Sequence, residues 1–321
     1  MPMISSAQFN LSAQDGPIYH TCHNNTVVLF GEVLADIFPD KTVLGGAPFN
    51  VARHLKAFGL NPVMISRLGN DALRDRIMDV MAKVHMETLG MQCNKIHPTG
   101  KVEVRLEGRG HNFNILPEQA YDYIHPSIAR MTTLTVNPSF VYFGTLAQRN
   151  AISARALKQL IRSTTAPRFL DLNLRAPWYD ESTITQSLQY ANIVKLNDEE
   201  LEILTAMLRL NGNDPQSSAE ELISRYNLDQ LLVTCGSSGA WYLDRNGTFH
   251  KTTGNTSAIS LVDTVGAGDG FAAVCLHGLM QRWPISQMLQ RANDFAAQIC
   301  QIRGAIPDTA SFYTPFIHEW G

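Results

Sequence analysis

Short runs of apolar residues alternate with amphipathic segments along most of the chain. The runs predict buried strands at residues 27–30, 62–66, 141–144, 168–175, 193–197, 231–234 and 240–243. Between them, Val51, Leu55 and Phe58 recur at helical spacing, and further helices are predicted over 152–164 and 198–208. Strands that alternate with helices are typical of an α/β fold. The pattern therefore predicts a three-layer, doubly wound, mostly parallel sheet with helices on both faces.

Residues 101–107 and 111–115 differ from these runs, because apolar and polar side chains alternate strictly in both segments. Two such segments joined by the glycine-containing residues 108–110 predict a β-hairpin. Each strand would have one apolar face, unlike the buried strands of the main sheet. We expect this hairpin either to cover a ligand from outside the main sheet or to be an ordinary edge hairpin.

Polar side chains come directly after several of the predicted strands. They are Asp36, Asp171, Asn173, Arg175, Asn197 and Thr234. The carboxyl ends of parallel strands meet at one edge of a sheet, where open α/β folds bind their ligands. The sequence therefore predicts a ligand crevice at this edge.

The stretch at residues 261–273 combines a tight turn, Gly266-Ala267-Gly268, with the start of an apolar helix. Free backbone N–H groups and the positive end of the helix dipole would converge there, which suits a phosphate or a developing anion. Asp269 would repel a resident phosphate, so we interpret it as a base that takes a proton from an attacking hydroxyl. The alternative is that Asp269 only caps the helix.

A second glycine pair, Gly45-Gly46, precedes the helix that contains Asn50. Glycines at this position allow a ligand to approach the helix start closely. Asn50 offers both a donor and an acceptor, as recognition of sugar hydroxyls requires. The alternative role for Asn50 is again a helix cap.

Several of these motifs resemble those of one known family. Residues 263–269, Asp-Thr-Val-Gly-Ala-Gly-Asp, match every fixed position of the D-T-x-G-A-G-D signature of the ribokinase-like (PfkB) carbohydrate kinases. Residues 45–52, GGAPFNVA, and the D-x-N-x-R stretch at 171–175 resemble fructokinases within that family. The resemblance runs from about residue 26 to 314. It implies a ribokinase-like kinase domain over 25–321 after a tail at 1–24, with small β-lid strands near 33–44 and 98–117.

The resemblance also implies a role for each matching residue. Asp269 would be the base, and Gly266, Ala267 and Gly268 would donate N–H groups to the transferring phosphoryl. The sugar would be bound by Asp36, Gly45, Gly46, Asn50 and Arg175. The nucleotide would be bound by Asn197, Thr234, Gly236, Ser237, Gly239, Gly268 and Asn293. Glu200 would hold Mg²⁺ through water, and Asp263 would belong to a monovalent-cation site for K⁺.

Two of these assignments have structural alternatives. Arg175 could form a surface ion pair, because many arginines near acids do only that. Asn197 and Glu200 could simply begin a helix with acidic residues in its first turn.

Composition narrows the range of partners. The 321 residues carry 26 basic and 29 acidic side chains, a net charge of -3, which speaks against binding to nucleic acid or to an anionic membrane. We expect no membrane span, because no apolar run approaches about 20 residues, and no signal peptide at the N-terminus. The five scattered cysteines predict reduced thiols and a cytoplasmic protein.

The leading hypothesis is thus a kinase that uses ATP and Mg²⁺ to convert fructose to fructose 6-phosphate, with a homodimer formed through the lid. Ribose, a nucleoside, the 1-hydroxyl of a ketohexose and 2-keto-3-deoxygluconate remain open as acceptors. A dinucleotide oxidoreductase would need its glycine turn in the first βα unit, whereas this turn comes late in the chain. A non-catalytic sugar sensor would be expected to lack Asp269.

Overall fold

The computed structural model describes residues 24–107, 110–254 and 261–321. The predicted tail therefore lies outside the described residues, except for Asn24. Within the described ranges the strands are Thr26–Phe30 (β1), Leu34–Ile37 (β2), Thr42–Gly45 (β3), Asn61–Leu68 (β4), Met91–Cys93 (β5), Gly100–Glu107 (β6), Gly110–Ile115 (β7), Phe140–Phe143 (β8), Arg168–Asp171 (β9), Ile193–Asn197 (β10), Gln230–Thr234 (β11), Gly239–Asp244 (β12) and Phe249–Thr253 (β13).

The α-helices of the described ranges fall between these strands and after the last of them. They are Ala47–Ala57 (α1), Ala72–Lys83 (α2), Pro126–Val136 (α3), Ala151–Ile161 (α4), Glu181–Tyr190 (α5), Asp198–Met207 (α6), Pro215–Tyr226 (α7), Ala267–Gln281 (α8), Ile285–Ile299 (α9) and Thr314–Trp320 (α10). None of these helices is long and apolar enough to cross a lipid bilayer.

The main sheet has the strand order β13-β12-β11-β10-β9-β8-β1-β4-β5. Its pairs are parallel except for β11 with β12 and β12 with β13. All five residues of β1 are buried, because alternate side chains enter two separate cores: Val28 and Phe30 pack in one, and Val27 and Leu29 in the other. Helices α4 and α6 contribute to the first core and α1, α8 and α9 to the second. The predicted three-layer, mostly parallel α/β fold is confirmed.

A separate small sheet has the order β3-β2-β6-β7. The predicted hairpin is present as the antiparallel pair β6–β7, and it lies outside the main sheet as expected. Strand β2 joins it by pairing in parallel with β6. Since β2 follows β1 in the chain and β3 leads into α1, the small sheet stands at the carboxyl end of β1.

Three local predictions need correction. The strand expected over 168–175 ends at Asp171. Asn173 takes φ of 43°, which an extended strand does not allow, and the Leu174 N–H then donates to the Glu200 carboxylate at 2.7 Å. Asp36 was expected just past a strand of the main sheet, but it lies within β2 of the small sheet. Asp171 was expected to face the crevice, but it is buried.

Candidate active site

The turn before α8 takes a backbone shape that only glycine adopts easily. Gly266 is the N-cap of α8 with φ of 81°, and a Cβ added there would lie 2.3 Å from the Ala305 Cβ. The first turn of any helix leaves N–H groups without intrahelical acceptors. The Ala267 N–H already donates to the Thr264 carbonyl at 3.3 Å. Gly268 is therefore the residue of the turn best placed to donate its N–H group to an incoming anion.

Asp269 does not cap the helix, so the capping alternative is wrong for this residue. It is the third residue of α8, whose N-cap is Gly266, and the residue as a whole is partly buried. The Asn50 side chain donates from Nδ2 to Asp269 Oδ2 at 2.8 Å, across 219 positions of sequence. The two glycine motifs therefore converge on one hydrogen bond.

Asn50 is not a helix cap either. It lies in the first turn of α1, whose N-cap is Gly46. Its Oδ1 is buried and has no hydrogen-bond partner among the described residues. The side chain therefore holds Asp269 with its donor and keeps an acceptor for another group.

The charge state of Asp269 is shifted by its surroundings. Burial raises the pKa of Asp269 to about 6, and the hydrogen bond from Asn50 opposes this rise. The negative charge of Asp171 raises the pKa further, whereas the positive charges of Lys195 and Arg175 lower it. A carboxylate with such a pKa is ionised at neutral pH yet basic enough to accept a proton from a hydroxyl.

Two acidic residues of the β1–β3 region, Glu32 and Asp36, lie close to the glycine pair Gly45-Gly46. Burial raises the pKa of Asp36 to about 6, and a Cβ added to Gly45 would lie 3.4 Å from Asp36 Oδ2. Gly46 has φ of 105°, and a Cβ there would lie 2.7 Å from the Glu32 carbonyl oxygen. Both glycines of the pair therefore keep the backbone close to acidic residues.

Glu32 is a site residue that sequence reasoning missed. Only 5% of it is exposed, burial raises its pKa to about 7, and Oε2 has no hydrogen-bond partner among the described residues. The charge of Asp269 raises the pKa of Glu32 further, so the two carboxyls belong to one electrostatic site. The sequence did contain a signal for Glu32, because this acid comes directly after a buried strand and the glycine that ends it.

Arg175 is exposed and donates to the Leu174 carbonyl at 3.1 Å. The ion-pair alternative does not hold within the described part of the chain, where no carboxylate lies within 4.0 Å of its guanidinium. Its positive charge nevertheless lowers the pKa of Glu32, Asp36 and Asp269 against the effect of burial. Arg175 therefore interacts electrostatically with all three acids.

A cavity of about 660 Å³ opens beside the start of α8. Its lining includes most of the residues predicted to bind a nucleotide, namely Thr234, Gly236, Ser237, Gly239, Gly268 and Asn293. Ala267 lines it too, so the cavity reaches the turn that precedes Asp269. Sequence reasoning missed Phe271 and the small residues Ala296 and Ala297, which complete the wall.

Asn197 and Glu200 form a reciprocal helix cap. Asn197 Oδ1 accepts from the Glu200 N–H at 2.7 Å, and Glu200 Oε2 accepts from the Asn197 N–H at 2.9 Å. Asn197 and Glu200 therefore begin α6, as the alternative interpretation of this motif predicted. Asn197 does not line the cavity. The described residues contain no cluster of three or more His, Cys, Asp or Glu side chains that could hold a metal ion. The role of the pair toward Mg²⁺ stays a prediction.

Asp263 joins the glycine turn to a later loop. Its Oδ1 accepts from the Val265 N–H at 3.0 Å, and its Oδ2 accepts from the Gly304 N–H at 3.0 Å. The 303–307 loop includes Ala305, the residue that packs against Gly266. Asp263 thus supports the turn, and its role toward a monovalent cation stays a prediction.

The chain is similar in sequence to known carbohydrate kinases. Residues 24–311 match the family described as pfkB family carbohydrate kinase. A fructokinase of Salmonella typhimurium is 26% identical over 306 residues, which cover 89% of this chain and 94% of that protein. A fructokinase of Escherichia coli is 28% identical over 272 residues, 79% of this chain and 84% of its own.

Solved structures share the fold at lower identity. A fructokinase from Xylella fastidiosa with bound ATP superposes with a TM-score of 0.80 at 22% identity, covering 92% of this chain and 99% of its own. A putative ribokinase II from E. coli gives a TM-score of 0.79 at 18% identity, covering 92% and 99%. These similarities show that the α/β architecture with its small β-sheet lid is ribokinase-like.

Proposed function

Because this chain belongs to the pfkB family of carbohydrate kinases and is a phosphotransferase with an alcohol group as acceptor, we propose that it transfers the γ-phosphate of ATP to the 6-hydroxyl of fructose. The single observation that carries the proposal is the Asn50–Asp269 hydrogen bond of 2.8 Å beside the 660 Å³ cavity. It joins a group suited to sugar hydroxyls to a group suited to deprotonate one of them.

In the proposed reaction, the sugar hydroxyl gives its proton to the Asp269 carboxylate while its oxygen attacks the γ-phosphorus. The bond from that phosphorus to the β,γ-bridging oxygen breaks, and ADP leaves with the electron pair. The N–H of Gly268 and the positive end of α8 would stabilise the charge of the transferring group. Alignment and charge neutralisation supply most of the catalysis that phosphoryl transfer needs.

The acceptor side of the site matches a polyol. Asn50 Oδ1 and Glu32 Oε2 are buried acceptors without protein partners among the described residues. A buried acceptor left unpaired costs about 1–3 kcal/mol. Sugar hydroxyls would pair with both, and the carboxylate of Asp36 would accept another.

Fructose is favoured over other acceptors by the wording of two motifs and by the relatives. GGAPFNVA and the D-x-N-x-R stretch resemble fructokinases, and the similar proteins of S. typhimurium and E. coli are fructokinases. Ribose, a nucleoside and 2-keto-3-deoxygluconate are the alternatives of the same reaction class. A non-catalytic sensor is disfavoured, because Asp269 is present with a pKa suited to a base.

The cavity at the start of α8 would hold ATP, with its phosphates toward Gly268 and its base near Asn293 and Phe271. Mg²⁺ bound to these phosphates would neutralise their charge. Each Glu200 oxygen accepts one backbone N–H, and a carboxylate oxygen has a second lone pair that can bind a water of the ion. Glu200 and Asn197 therefore fit an indirect role toward Mg²⁺.

We further propose a cytoplasmic homodimer formed through the small sheet. Strand β7 is an edge of that sheet, and Phe113 on it is 47% exposed. Exposed edge strands are prone to pair with another chain. Sedimentation at micromolar concentration should give twice the chain mass of 35.6 kDa, and a monomer there would contradict this part of the proposal.

The acceptor is tested by measuring ADP release with ATP and Mg²⁺ against fructose, ribose, 2-keto-3-deoxygluconate and several nucleosides. We expect the highest kcat/KM with fructose, and phosphorus NMR of the product should show a 6-phosphate. A higher kcat/KM for another acceptor would overturn the fructose assignment but leave the reaction class intact.

A further inference from the structure

A buried ion pair lies underneath the proposed catalytic turn. The Lys195 Nζ on β10 donates to Asp171 Oδ1 on β9 at 3.0 Å. The Lys195 and Asp171 side chains are only 7% and 1% exposed. The Tyr142 hydroxyl on β8 donates to the other oxygen, Asp171 Oδ2, at 3.1 Å. Three adjacent strands of the main sheet therefore contribute to the site. Strands β9 and β10 supply the two charged groups, and β8 supplies the hydroxyl that holds Asp171 in place.

The same lysine reaches the start of α8. A Cβ added to Gly268 would lie 3.1 Å from Lys195 Nζ, so the ammonium occupies the space that a side chain at Gly268 would need. A helix start carries partial positive charge. Lys195 places a full positive charge beside the same helix start.

Stability alone explains this pair poorly. A buried ion pair stabilises a fold little, because the cost of removing two charges from water is close to their mutual attraction. Apolar residues of similar volume would fill the space between β9, β10 and α8 as well. The pair must also coexist with Asp269, whose own charge interacts with both partners.

We propose that Lys195 is a positioning residue for phosphoryl transfer: its ammonium, held by Asp171 against Gly268, fixes the start of α8 and sets the charge balance around Asp269. This inference rests on the proposed role of Asp269 as the base. The two partners act on Asp269 with opposite sign, because Lys195 favours its ionised form and Asp171 disfavours it. Together they keep Asp269 ionised without lowering its pKa so far that it becomes a poor proton acceptor.

Several other groups act on Asp269 from neighbouring elements. Asn50 donates to it from α1, Arg175 adds positive charge from the segment after β9, and Glu32 adds negative charge after β1. Tyr142 lies close enough for its own pKa to be raised by Asp269. Among these groups Tyr142 hydrogen-bonds to the pair, at Asp171 Oδ2, and an asparagine at position 171 can still accept that bond. The effect of the pair can therefore be tested separately from those of Asn50, Arg175 and Glu32.

The test compares kcat against pH for Lys195→Met, Asp171→Asn and the double variant, with the best acceptor and saturating ATP. We expect the acidic limb of Lys195→Met to move to higher pH by about one unit, and that of Asp171→Asn to lower pH by about one unit. The double variant should return close to the wild-type limb. Lys195→Met should also lose at least about 10-fold in kcat, with a smaller change in the KM for ATP.

Asp122→Asn is the matched control, because Asp122 forms a second buried ion pair with Arg149 at 2.7 Å. It should lower the melting temperature without moving the acidic limb. If Lys195→Met fails to fold, the isosteric Asp171→Asn decides alone. Unmoved limbs in the folded variants would reduce the pair to a structural role and overturn the inference.

The base assignment fails separately. Full activity of Asp269→Asn would contradict that assignment, whether or not the Lys195 and Asp171 variants change the pH profile. An inactive Asp269→Asn together with unmoved limbs would leave the proposed function intact and overturn only the role of Lys195.

Discussion

Asn50 Nδ2 donates a hydrogen bond of 2.8 Å to Asp269 Oδ2. The bond links the first turn of α1 to the first turn of α8, so two helix starts face each other across one pair of side chains. Each of these starts follows a glycine with positive φ, Gly46 and Gly266. A sugar seated on one helix start would therefore present its hydroxyl to the base on the other.

Replacing the proposed base should remove catalysis and spare nucleotide binding. Asp269→Asn keeps the size of the side chain but cannot accept the proton, so we expect kcat to fall by about 100-fold or more. ATP affinity, measured by calorimetry, should stay close to that of the wild type. Wild-type turnover in this variant would falsify the role of Asp269.

The dependence of kcat on pH should report the ionisation of Asp269. Because burial raises the pKa of Asp269 to about 6, the carboxylate is protonated as pH falls through about 6, and a protonated base cannot act. We expect kcat to be constant on the neutral side and to fall tenfold per unit below that point. A profile that stays flat down to pH 4.5 would argue against a base with this pKa.

Loss of the Asn50 side-chain amide should affect both sugar binding and the base. Asn50→Leu removes the donor to Asp269 and the buried acceptor Oδ1, so we expect the KM for the sugar to rise about 10-fold. The acidic limb should move to higher pH, because the hydrogen bond lowers the pKa of Asp269.

The matched control for Asn50 is Asn61→Leu. This variant also loses a side-chain hydrogen bond, the one from Asn61 Nδ2 to Thr26 Oγ1 at 3.2 Å, but at the opposite end of β1. An equal rise of the KM for the sugar in both variants would mean that Asn50 acts only through stability.

Two glycines with almost the same φ allow the effect of backbone strain to be measured separately from the effect of packing. Gly266 and Gly59 have φ of 81° and 82°, but only Gly266 meets a neighbour, with a Cβ position 2.3 Å from the Ala305 Cβ. Gly59→Ala should cost about 1–2 kcal/mol of unfolding free energy and leave kcat unchanged. Gly266→Ala should cost more and also lower kcat, because Ala305 and the turn must move apart. Similar urea-unfolding midpoints and equal kcat values for the two variants would contradict this.

The buried Glu32 should make stability depend on pH in a defined direction. Its pKa rises from 4.5 to about 7 on folding, so the contribution of Glu32 to stability is most favourable below pH 4.5 and is lost as pH rises through 7. The loss reaches about 3 kcal/mol at an energy of 1.36 kcal/mol per unit. Glu32→Gln should therefore melt higher than the wild type at pH 8 and close to it at pH 4.5.

The exposed Glu202→Gln is the control for Glu32, since it removes a carboxyl on the solvent face of α6. It should change the melting temperature little at either pH. A Glu32→Gln variant with the same difference from wild type at both pH values would show that the carboxyl does not titrate between them.

Much of the fold could be predicted because its signals are local. The apolar run of β1 is buried on both faces, and that pattern is visible in four consecutive residues. The strict alternation in β6 and β7 likewise predicted a hairpin apart from the main sheet. The prediction failed at β9, where Asn173 takes φ of 43° and the following Leu174 N–H bonds to Glu200, 26 residues away. A local pattern carries no signal of that contact.

The sequence by itself determined the α/β class, the two glycine-led helix starts and Asp269 as the candidate base. These follow from backbone freedom and side-chain periodicity, which act over a few residues. Only the tertiary structure decided that Asn50 contacts Asp269, that Glu32 is buried beside them, and that Lys195 and Asp171 pair beneath Gly268. Burial and charge proximity depend on which strands are neighbours in the sheet, and strand order is a property of the whole chain.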